Sequence, residues 1–215
     1  MGIFYFPCNF VYWRKLPKHE IYKSKITETI DSNRYNFLNH KLISNGLSSD
    51  RKSPNNIGIE ILKNKEIIDD VVWKTLDEMF NVSNARENTV NMNISNSIVH
   101  RSWISIYNEK STMATHEHYD QNVVNLNGIV YRSCFVLVYI VKDPNERNTT
   151  VFTEPYMLAK SMHGMKPICF DTSLIDEIGE GTVLIFPSSL HHHVNMMEKP
   201  GRIIMSFDIF SDVPG

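Results

Sequence analysis

The chain has 215 residues, of which 42 % are apolar and 21 % charged, the composition of a folded globular domain and not of a disordered one. Its 22 Lys and Arg against 24 Asp and Glu give a net charge of -2, without the basic excess of a dedicated nucleic-acid binder. Cys8, Cys134 and Cys169 form no CxxC pair and read as reduced thiols, and no run approaches the roughly 18 apolar residues of a membrane span. The expectation is a cytoplasmic protein, residues 1–215 forming a single domain without a membrane partner.

Taken in chain order, residues 1–87 read as a helical layer. Tyr22, Ile26 and Ile30 recur every four residues and line one helix face over 18–30. Arg14, Lys15, Lys18, Lys23 and Lys25 read as its solvated side. Residues 45–58, rich in Asn, Ser, Gly and Pro, read as a loop. Ile61, Ile68, Val72, Leu76 and Met79 then form the apolar stripe of a second helix. From residue 88 the period falls to two. Val90, Met92 and Ile94 alternate with polar residues, and 103–107 reads as another strand. The continuous apolar run 134–141 suits a strand buried on both faces. A turn at 142–146 leads to 149–153, expected to pair back as a hairpin, and strands follow at 182–186 and 202–210. Helices first and short strands afterwards predict a mainly β protein. Its core over 88–212 reads as a jelly roll or sandwich, with the helices packed outside.

Nine histidines are present, and five fall into two clusters, His116 with His118 and His191-His192-His193. Residues i and i+2 of a strand project from one face, so His116 and His118 can converge on one ion. In the triplet, His191 and His193 share a face and His192 takes the other. Neutral imidazole suits iron, zinc, copper and nickel. Arg202, Ile204 and Ser206 share one strand face. A buried arginine is costly unless paired, and its planar fork suits a carboxylate, to which Ser206 can add a hydrogen bond.

The frame as a whole resembles a known family. It runs Trp103-x3-Tyr107, His116-x-His118, Val138-Tyr139, Phe152-x2-Pro155. It continues Gly181-x4-Phe186-Pro187-x2-Leu190-x-His192-x-Val194 and Arg202-x3-Ser206-Phe207. This is similar to the 2-oxoglutarate- and Fe(II)-dependent oxygenases of T4-like cyanophages and marine bacteria, distant relatives of prolyl 4-hydroxylases. The segment 13–30 is similar to their amino-terminal helix, and the resemblance is most specific over 181–207. It implies a double-stranded β-helix with iron in the barrel mouth, and 2-oxoglutarate bound to the iron and to a basic residue. Carried over, His116, His118 and His192 are the metal ligands. Arg202 and Ser206 hold the far carboxylate, and Tyr139 donates a hydrogen bond to the cosubstrate. The implied reaction uses O2, releases succinate and CO2, and hydroxylates a substrate that the sequence does not identify. Location in a host cytoplasm is implied for a phage protein.

Three departures stand out. The better-known hydroxylases have His-x-Asp at the first pair, so His118 with Asp120 is an alternative register to the preferred His116 with His118. Residues 119–132 look like an inserted lid, and Asp208 replaces a frequent Asn. Two other functions compete: a three-His cupin-type dioxygenase independent of 2-oxoglutarate, and a non-catalytic metal-binding β-barrel. A nucleic-acid partner is not favoured, and oligomeric state is open.

Overall fold

The computed structural model describes residues 2–6, 9–34, 37–39, 43–49, 61, 63–84, 96–119, 123–145, 150–153 and 168–212. The expected strand over 90–94 lies outside them. Among the described residues thirteen strands form two antiparallel sheets. The large sheet contains β1 (Gly2–Phe6), β2 (Asn9–Lys15), β3 (Phe37–Asn39), β4 (Gly46–Ser49), β5 (Ser97–Tyr107), β7 (Val124–Leu126), β8 (Ile129–Lys142), β11 (Thr182–Pro187) and β13 (Arg202–Asp212). Its order is β1-β2-β11-β8-β13-β5-β4-β3, with β7 paired to β8. The small sheet has the order β10-β9-β12-β6, built from β6 (Met113–His116), β9 (Thr150–Thr153), β10 (Cys169–Asp171) and β12 (His191–Val194). The described helices are α1 (His19–Ser32), a second helical stretch and a short 3-10 turn (Thr172–Leu174). That stretch runs from α2 (Lys65–Ile68) through a π-helical turn (Asp69–Trp73) into α3 (Lys74–Asn84).

The long apolar runs arise because the large sheet is covered on both faces. Side chains alternate along each strand. On β8, Phe135, Leu137, Tyr139 and Val141 enter a core with Tyr22, Ile26 and Ile30 of α1 and with Val72 and Leu76 of the second stretch. Val136, Val138 and Ile140 enter a separate core against the small sheet, with Met113, Phe152 and Val194. The β2 strand divides in the same way, Phe10 and Tyr12 toward the helices, Val11 and Trp13 toward the small sheet. Burying each large apolar side chain of α1 contributes about 1.5–3 kcal/mol, which fixes that helix on the sheet.

The first third therefore differs from its expected all-helical form. β1 and β2 make a hairpin that adds to β11, and β3 and β4 add beside β5. Segment 13–30 is split between β2 and α1. The basic residues are not simply a solvated face. Arg14 is buried and bridges Asp70 (3.0 Å) and Glu78 (2.7 Å), tying β2 to the π-helical turn and α3. Lys18 and Lys25 both pair with Glu66. A second correction concerns 150–153. Its partners are β10 and β12, because after the turn at 142–145 the chain crosses to the other sheet.

One turn locks α1 to the sheet. Gly181 has φ +82°, and a Cβ there would come within 2.9 Å of the His19 ring. Beside it, Glu180 pairs with Lys23 and accepts the Asp143 backbone N–H at 2.8 Å.

Candidate functional site

His116, His118 and His192 meet between the sheets, their ligand atoms all within 4.8 Å of one another. His116 ends β6 and pairs across the sheet with His192 at the second position of β12. His118 lies just past β6, where its backbone N–H donates to Ser188 O at 2.8 Å. The rings pack closely: His116 and His192 centroids are 4.2 Å apart, and His118 stacks between Trp103 (5.4 Å) and His192 (5.2 Å).

The outer nitrogens fix the tautomers. His116 Nδ1 lies 2.9 Å from Ala114 O, His192 Nδ1 3.0 Å from Leu190 O, and His118 Nδ1 3.0 Å from Asp208 Oδ1. Carbonyl and carboxylate oxygens only accept, so each Nδ1 carries the hydrogen. Each Nε2 then presents a bare lone pair. His116 Nε2 and His118 Nε2 face each other at 3.2 Å, a contact that is repulsive between two neutral rings and that a cation would turn into an attractive one. Burial, and then the neighbouring imidazoles of His116 and His118, hold the His192 pKa well below the usual histidine value. A neutral ring is the form that binds a metal. The donor set fits a divalent metal that accepts nitrogen.

A small pocket opens from this cluster and runs between the sheets toward Tyr107, Thr150 and Ser206. Against Tyr107 and Thr150 lies Arg202, 1 % exposed. Arg202 Nη2 donates to Thr150 Oγ1 at 3.2 Å, its guanidinium sits 5.4 Å from the Tyr107 ring centre, and Nε is 3.4 Å from Asp143 Oδ2. Ile204 and Ser206, on the same face of β13, line the cavity. The walls near the histidines are apolar, with Trp103, Phe186 and Val138.

No family model matches the sequence, and no curated protein matches it significantly. Solved structures do. OsALKBH1 is 12 % identical at a TM-score of 0.61, with 96 % of this chain and 99 % of that one covered. HygX from Streptomyces hygroscopicus, with nickel and 2-oxoglutarate bound, is 11 % identical at 0.55, covering 95 % of this chain and 83 % of its own. A Pseudomonas putida prolyl-4-hydroxylase is 7 % identical at 0.52, covering 95 % and 93 %. These neighbours fall among the 2-oxoglutarate/Fe(II) oxygenases. The chain has their fold.

Within this fold the expected residues divide into two groups. The three histidines, Arg202 and Ser206 lie on the inner side of the sandwich. Tyr139 does not. It points to the opposite face of β8, among the α1 contacts, with its hydroxyl 2.7 Å from His19 Nδ1. Strand alternation puts Val138 and Ile140 inside and Tyr139 outside, so its expected contact with a cosubstrate is withdrawn. Asp120 lies outside the described residues. His191 is exposed and 3.5 Å from Glu117. Asp143 and Thr150 escaped the sequence reading. Asp143 follows β8 and Thr150 opens β9, and only the packing of the two sheets brings them to Arg202. Among the described residues no helix is long and apolar enough to cross a membrane.

Proposed function

We propose that the protein is an Fe(II)- and 2-oxoglutarate-dependent oxygenase that hydroxylates a substrate with release of succinate and CO2. The observation that carries this reading is one cavity with three convergent imidazole nitrogens at one end and a buried guanidinium behind the other. The double-stranded β-helix is the arrangement that would bring the two ends together on facing sheets.

His116, His118 and His192 would hold the metal through Nε2. Bound iron would supply the oxygen chemistry, which no side chain of the site provides. Arg202, with Thr150 and Ser206 beside it, would take the distal carboxylate of 2-oxoglutarate by charge-assisted hydrogen bonds. Asp143 Oδ2 lies 3.4 Å from Nε of the same guanidinium, a charge contact that would help to orient the fork. Trp103, Phe186 and Val138 exclude water from the space between. The atoms balance: substrate C–H, O2 and 2-oxoglutarate give substrate C–OH, succinate and CO2. A three-His dioxygenase that needs no cosubstrate would have no use for a buried arginine at this position.

Succinate formation by the iron-loaded protein tests the reading. Arg202→Ala is expected to abolish it, a loss of at least about 100-fold for removing a buried bidentate partner, while metal content stays at the parent level. Equal turnover in the variant would refute the anchor.

A further inference from the structure

Three neutral imidazoles bring no negative charge to a divalent ion, whereas the two-His-one-carboxylate facial arrangement brings one. The structure places a carboxylate one bond network further out. Asp208 Oδ1 lies 3.0 Å from His118 Nδ1, and both side chains are 4 % exposed. Asp208 sits in the middle of β13, paired with Arg101 on β5 and Val136 on β8, so its backbone is held from both sides. Its other oxygen is 4.0 Å from Nη1 of the partly exposed Arg101. Burying a carboxylate is expensive unless it is hydrogen-bonded or paired, and the imidazole N–H of His118 supplies such a bond. His116 and His192 turn Nδ1 to backbone carbonyls, whereas His118 turns it to a charge.

We infer that Asp208 is a positioning residue for the metal. Its carboxylate accepts His118 Nδ1–H and fixes the tautomer that aims Nε2 into the cluster. Through the imidazole it supplies the negative charge that a directly bound carboxylate supplies in a His-x-Asp site. This rests on the metal-site reading given above. A carboxylate behind a ligating histidine raises the basicity of the ring and orders it, and its loss typically lowers metal affinity about 10–100-fold.

Asp208→Asn keeps the size and one acceptor oxygen and removes the charge. Co(II) affinity, measured by competition titration without 2-oxoglutarate, reads the effect independently of turnover. A fall of about 10–100-fold is expected, with the melting temperature of the metal-free variant close to that of the parent. Parent-level affinity overturns the inference. A second measurement needs no variant. In the Zn(II)-loaded parent with 15N-labelled histidine, the His118 Nδ1 is expected to carry a proton and Nε2 to bind the metal. Metal bound through Nδ1 overturns the inference even if the variant does not fold. Failure of the parent to bind either ion would overturn the metal-site reading, a different result from equal binding by parent and variant.

Discussion

What its far nitrogen touches decides which way each histidine of the candidate site presents its other nitrogen. Strand alternation divides the 191–193 triplet, and the backbone carbonyl of Leu190 then sets the His192 tautomer. His191 faces solvent beside Glu117, and His193 stands on that same outer side of β12. His192→Ala is therefore expected to lose bound iron, whereas His191→Ala and His193→Ala keep it; elemental analysis of the purified variants decides. Part of this was legible in the sequence. The spacing of His116 and His118 and the alternation of Arg202, Ile204 and Ser206 place residues on one face. The same rule cannot say which face is inside when a strand is apolar throughout. Tyr139 shows the difficulty, since every neighbour on β8 is buried and only the two layers distinguish it from Val138. Asp143 and Thr150 were invisible for another reason: their meeting with Arg202 depends on sheets that pair across distant sequence.

At the scale of elements, helix α1 could be read from its own spacing, because Tyr22, Ile26 and Ile30 need only one apolar surface to pack on. The strands β1 to β4 could not, since their stability comes from pairing with β11 and β5 far along the chain. The junction of α1 with β11 is held by Glu180. Its burial alone would raise its pKa, but the hydrogen bonds from Lys23, from the Asp143 backbone and from His19 outweigh burial and hold it below the usual value. A lowered carboxylate pKa adds stability above the unfolded value, about 4.3, and that stability is lost as pH falls through the lower folded value. The melting temperature of the parent is expected to drop on acidification below about pH 5. Glu180→Gln is expected to melt lower at neutral pH and to show a shallower acid slope. Parallel curves for the two proteins would mean that the Glu180 clamp carries no linked stability. The Glu180 to Asp143 contact also joins this junction to the residue that lies against the Arg202 guanidinium.

Across the whole molecule, the candidate site follows from covering one sheet on both faces. The helices seal the outer face of the large sheet, which frees its inner face to form a cavity with the small sheet. The small sheet contributes His116 and His192, and the large sheet contributes Arg202, Ser206 and the Asp208 that backs His118. Neither sheet holds all of the candidate residues, so the histidines and Arg202 come together only between the two sheets. The near-neutral net charge fits a small-molecule cavity of this kind and gives no pull toward a polyanion. The most direct test is oxygen uptake by the iron-loaded protein with and without 2-oxoglutarate. The expected result is uptake that depends on 2-oxoglutarate, with one succinate formed per O2 consumed. Uptake that is unchanged by 2-oxoglutarate, or no uptake by protein that holds iron, would contradict it.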